Sequence, residues 1–68
     1  MMTLHEAITE LLKQSTEGLN SKDIAETINK NGTYCRADGR KLKPSQISAR
    51  VRRYSTLFEI KDKKIHLK

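Results

Sequence analysis

Gln46, Ala49, Arg52 and Arg53 bring an amide, a methyl and two guanidiniums into one short stretch. These groups read or grip nucleic acid. A glutamine amide can bond an adenine edge in a bidentate way, and an arginine can do the same on guanine. An alanine lets a helix approach closely and touch a thymine methyl; each good bidentate pair is worth about 1–3 kcal/mol of discrimination. Lys43 and Ser45, just ahead of them, are placed to hold phosphate at a helix start. This chemistry needs a helix with one side buried and these groups on the other. Residues 44–54 satisfy that demand: Ile47, Val51 and Tyr54 recur at steps of four and three, and so share a face. Ser45, Gln46, Ala49, Arg52 and Arg53 fall opposite. The competing reading is a solvated face whose last-turn arginines complement the helix dipole. Pro44 suits the first helical position and Ser45 is itself a good cap, so both starts are open. Arg50 lies angularly near the buried side, where a carboxylate from an earlier helix could pair with it.

The charge layout favours the nucleic-acid reading. The 68 residues carry a net charge of +6. Residues 1–30 hold three basic and five acidic side chains, a balance of −2, and residues 31–68 hold eleven and three, a balance of +8. The positive field therefore belongs to the half that contains the 44–54 helix, and such a field favours a polyanion. The length allows a single domain over residues 1–68 with a thin core, which leaves little room for a deep catalytic cleft. One cysteine, Cys35, excludes an internal disulfide and points to a reducing compartment. No apolar run reaches membrane-spanning length and no signal-peptide pattern opens the chain.

Two helices must support the basic one. Leu4, Ala7, Ile8, Leu11 and Leu12 form an apolar stripe within a first helix of about residues 3–15, capped by Thr3 with Glu6 as reciprocal partner. His5 sits at the stripe's border and is expected to pack its ring edge. Asn20 caps a second helix of about residues 21–30, with Leu19 and Ile24 as a hydrophobic staple. This helix buries Ile24, Ala25 and Ile28 and closes at Gly32. Residues 33–43 read as a basic connector in which Tyr34 and Leu42 tuck onto the core. Asp38-Gly39 signals a turn there, able to close a small hairpin. Arg36, Arg40 and Lys41 are expected to touch phosphate as secondary contacts. After the third helix, residues 57–67 alternate as two strands around Asp62-Lys63. Folded on that turn, Ile60 meets Ile65 and Phe58 meets Leu67 on a buried face, while Glu59 meets His66 on the other. Lys61 then faces Lys64, a like-charge pair that favours an anion between them. Lysines also keep a sheet edge soluble.

The ordered motifs resemble the HARE-HTH family of winged helices, found in some restriction endonucleases and additional-sex-combs-like chromatin proteins, with a related form in the delta subunit of bacterial RNA polymerase. The resemblance covers about residues 3–67 and rests on Leu4-His5-Glu6-Ala7-Ile8, Asp23-Ile24-Ala25, Ile28-Asn29, Tyr34 with Arg36 and Asp38-Gly39, Gln46-Ile47 with Ala49-Arg50-Val51, and Tyr54 with Leu57-Phe58-Glu59. It implies a DNA-binding or chromatin-associated module without catalysis of its own, usually part of a longer protein. The chain departs from the family pattern at Asp62-Lys63-Lys64, where Asp-Gly is frequent, and at Ser55, where proline is frequent.

The resulting expectation is a mainly α fold with a small β wing: a winged helix-turn-helix of three helices followed by a two-stranded antiparallel hairpin. Its partner is double-stranded DNA, with Gln46, Ala49, Arg52 and Arg53 in the major groove, Lys43 and Ser45 on phosphate, and Lys61, Lys63 and Lys64 on the adjoining backbone or minor groove. A restriction, chromatin or transcription-related host protein or RNA polymerase is a further partner. The rival readings are a protein-interaction module of the same fold and RNA binding. His5, Cys35 and His66 are scattered without metal-ligand spacing, and no carboxylate pair or glycine-rich phosphate loop is present, so neither enzyme, cofactor, metal site nor small-molecule substrate is expected. The setting is the cytoplasm at the nucleoid, or the nucleus in a eukaryote. The chain stops one residue after the last strand position, which reads as an excised domain or a very small free-standing protein.

Overall fold

Thr3 sets the first helix. In the computed structural model, which describes residues 3–15, 17–32, 34, 36 and 39–68, the Glu6 N–H donates to Thr3 Oγ1 at 3.4 Å and the Thr3 N–H to Glu6 Oε1 at 3.0 Å. The Thr3 hydroxyl also donates to that carboxylate at 2.7 Å. First this hydroxyl and then the Thr3 N–H hold the Glu6 carboxyl below its ordinary value. Helix α1 runs Leu4–Lys13. It is shorter than the expected 3–15 because the chain tightens at its end, where the Gln14 and Ser15 N–H groups donate to Leu11 and Leu12 carbonyls. Asn20 Oδ1 accepts from the Asp23 N–H at 2.8 Å and opens α2, Ser21–Asn31. Gly32 closes it with φ +67°, a conformation that costs glycine little.

Helix α3 runs Pro44–Arg53, with Pro44 in the first helical position. Strands β1, Phe58–Lys61, and β2, Lys64–Leu67, follow as an antiparallel hairpin. The architecture is therefore mainly helical and winged-helix-like: three helices, then a two-stranded wing. The expected register is present, pairing Phe58 with Leu67, Glu59 with His66, Ile60 with Ile65 and Lys61 with Lys64. Leu19 adds an antiparallel bridge to Ile65 on the far side of β2. Each donates its N–H to the other's carbonyl, at 3.1 and 2.7 Å.

The core gathers Leu4, Ala7, Ile8 and Leu12 of α1, Ile24, Ala25 and Ile28 of α2, Ile47 and Val51 of α3, and Leu42, Phe58 and Ile65. Tyr34 is half-buried against it, as expected of the connector. Two details of the sequence reading need correction. Ile60 was expected on the buried face but is 52% exposed. Ile65 sits on the inner strand, bonded to Leu19, whereas Ile60 lies one strand further out on the free edge, beyond what the helices cover. His5 does not pack its ring edge; it lays its face on Tyr54, with centroids 4.2 Å apart and planes inclined by 28°. Cys35 and Asp38 lie outside the described residues. Gly39 retains a turn signature, with φ +75° and its N–H donating to the Arg36 carbonyl at 3.0 Å.

Candidate nucleic-acid interface

The outward side of α3 is built from its buried side. Ile47 and Val51 are 0% and 2% exposed, which turns Ser45, Ala49, Arg52 and Arg53 to solvent and leaves Gln46 half-exposed at the margin. Two contacts absent from the sequence reading fix the helix in place. Asn29 of α2 grips the backbone of Leu42 from both sides, donating from Nδ2 to its carbonyl at 3.0 Å and accepting its N–H on Oδ1 at 2.9 Å. This clamp sits one residue before Lys43, the residue that caps α3. The hydroxyls of Ser21 and Ser48 meet at 2.8 Å and tie the start of α2 to the middle of α3. Asn29 enters the sequence reading only as part of a motif and Ser48 falls in neither helix face named there; neither carries a local signal for a partner that far along the chain.

The start of α3 is also more engaged than its sequence suggests. Gln46 reaches back so that its Oε1 accepts the Lys43 N–H at 2.8 Å. This satisfies one of the N–H groups that a helix start leaves without a partner. A bidentate contact to adenine would compete with that bond. Gln46 Nε2 keeps its donors for an outside acceptor.

Arg50 differs from expectation. It is half-buried and has no carboxylate partner among the described residues, where the recorded ion pair is Lys13 with Glu10 at 3.4 Å on α1. Arg50 lines an open groove of about 450 Å³ along the flank of α3. Arg36, Gln46, Ala49 and Arg53 form its sides with Leu4, Tyr34 and Leu42 beneath. The fold thus brings three of the expected base-facing residues together with Arg36 of the connector. A second, smaller hollow of about 210 Å³ gathers Arg36, Arg40 and Lys41 beside Tyr34. Lys61, Lys63 and Lys64 line neither; they crowd the tip of the wing, all exposed. Among the described residues, Lys43, Arg52, Arg53 and the three wing lysines form no ion pair.

The wing tip carries a conformational cost. Asp62 and Lys63 both have positive φ, +53° and +66°, as a two-residue hairpin of mirror-image type requires. Glycine is the usual second residue of such a turn, and lysine holds it at a cost of about 1 kcal/mol. The side chain kept there adds a third ammonium to the Lys61–Lys64 pair.

Among the described residues, no three His, Cys, Asp or Glu side chains converge as metal ligands. No helix among them is long and apolar enough to cross a membrane. No protein family, curated protein or solved structure matches the chain.

Proposed function

We propose that the chain is a winged-helix module that binds double-stranded DNA, with α3 in the major groove and the wing on the neighbouring backbone or minor groove. The observation that carries this reading is the two-sidedness of α3. Ile47 and Val51 are sealed in the core, while Arg52 and Arg53 stand exposed, without carboxylate partners among the described residues. Arginines so placed can meet guanine edges, and Ala49 between them admits close approach to the bases. Gln46 enters as a single donor from Nε2, because its oxygen serves the helix start; it can meet purine N7, guanine O6 or thymine O4 and so disfavours only the cytosine edge. Lys43, Ser45, Arg40 and Lys41 meet phosphates, as do Lys61, Lys63 and Lys64. The resemblance of the motif order to that of HARE-HTH winged helices supports the same reading, and with it a restriction, chromatin or transcription-related host and a setting in the cytoplasm at the nucleoid or in the nucleus. Alone, a module of this size binds at about micromolar strength, and useful specificity comes from a second module or a host protein.

The test is fluorescence anisotropy of the full chain on random duplex DNA across a salt series. Neutralising four to six phosphates gives a slope of log K against log salt of roughly −4 to −5. Arg52→Glu with Arg53→Glu abolishes the binding. Equal affinity in that variant removes α3 from the interface. A protein-docking reading draws on the exposed Leu57 and Ile60; it requires binding to a protein that is indifferent to salt.

A further inference from the structure

The groove beside α3 has a composition that phosphate contact alone does not call for. Exposed cations such as Arg52 suffice for a backbone phosphate. Here Arg50 and Arg53, one turn apart on α3, stand with Arg36 over an apolar bed of Leu42 and the half-buried ring of Tyr34. Among the described residues, none of those lining it is acidic, and its arginines suit an anion. Its bed suits a flat apolar body. A nucleotide combines the two: its base can stack on an aromatic ring or a guanidinium plane, and its phosphates meet the remaining arginines. The groove of about 450 Å³ falls within the range of small-ligand sites. It is also continuous with the proposed DNA face, because Gln46, Ala49 and Arg53 border it.

We infer that this groove receives one unstacked nucleotide of the bound DNA, with Tyr34 beneath the base and Arg50 on its phosphate, while Arg53 borders the groove from the base-reading side. The inference rests on the DNA-binding reading and extends it. Drawing a base out of an intact duplex is unfavourable, and least so where the base is already unpaired. The preferred ligand is therefore a duplex that presents a free nucleotide, such as a one-nucleotide bulge or overhang. A protein partner with an acidic, aromatic segment fits the same chemistry less well, since nothing links it to the outward side of α3.

The experiment compares three duplexes of one sequence: fully paired, with a single-nucleotide bulge, and with a one-nucleotide overhang. The unpaired position carries 2-aminopurine, and anisotropy and 2-aminopurine emission are read together. The expected result is about tenfold tighter binding of the bulged duplex, within the range that one stacked base contributes, and an emission change on binding. Arg50→Gln and Tyr34→Leu lose the preference while paired-duplex affinity falls less than about threefold; Tyr34→Phe keeps it, and thermal melts verify that each variant folds. Equal affinity for paired and bulged duplexes overturns the groove assignment and leaves the DNA reading standing. Binding of unpaired nucleotides without any affinity for paired duplex does the reverse. Binding of neither, with capture of an acidic tyrosine-containing peptide, overturns both.

Discussion

Helix α3 and the wing both expose cations, but on different foundations. The arginines of α3 project from a helix anchored by Ile47 and Val51 in the core, by the Asn29 clamp on Leu42 and by the Ser21–Ser48 contact. Last-turn arginines are also favoured by the helix dipole, so the charge of this helix comes at little structural cost. The wing lysines sit on a hairpin whose outer strand is unpaired on one edge, whose tip holds two non-glycine residues at positive φ, and whose cross-strand pair sets ammonium against ammonium. One region presents charge because its fold permits it; the other keeps charge against local preference. Retention against a conformational cost is the stronger sign of use.

The largest effect expected from breaking this contrast is on the helix side. Arg52→Glu with Arg53→Glu weakens duplex binding by at least about a hundredfold, with an unchanged melting temperature; a loss shared by the melting curve would place these arginines in stability instead. The wing is broken at its root through Gly18. There φ is +82°, and an added Cβ would come within 2.5 Å of the His66 ring on β2. Gly18→Ala destabilises by about 1–3 kcal/mol in thermal unfolding, as His66 is pushed away and the backbone is strained. Lys63→Gly sharpens the comparison by separating stability from binding. It relaxes the turn and raises stability by about 1 kcal/mol, a gain of about 4–8 °C in a domain of this size. It also weakens DNA affinity several-fold and lowers the salt slope by about one. A rise in both quantities would make Lys63 a mere solubility residue. Of the single substitutions, the smallest effect on stability belongs to Gln46→Glu. A carboxylate still accepts the Lys43 N–H and suits a helix start, so stability stays within about 0.5 kcal/mol. The lost donor and added charge reduce DNA binding about tenfold by anisotropy, most at low salt.

Sequence periodicity made most of the fold legible, because three amphipathic helices and one alternating hairpin each state their own buried face. Thr3, Asn20 and Gly32 announced their caps through local chemistry. The hairpin register followed from Asp62-Lys63 as a two-residue turn. Ile60 escaped because alternation assigns a face but does not say how far along that face the body extends. The outward side of α3 was legible from angles alone, yet its anchoring was not. The Asn29–Leu42 clamp and the Ser21–Ser48 contact join residues 13 and 27 positions apart, and no local pattern encodes such a meeting. The engagement of Gln46 was readable as a return from the third helical position, but the prospect of an adenine contact drew the side chain outward. Arg50 was expected to find a carboxylate; its place on the rim of a groove depends on how the connector passes α3.

The paired bonds between Leu19 and Ile65 have a consequence for how the molecule opens. They stitch the junction of the first two helices to the inner strand across 46 positions of chain, so that strand cannot peel off without disturbing the packed helices. The outer strand has no such stitch. Fluctuations of the wing are therefore uneven: the Leu19 and Ile65 amides exchange their hydrogens only through large-scale unfolding, while the outer strand beyond its core anchor at Phe58 breathes more freely and can adjust Lys61 and the turn residue Lys63 to a curved surface.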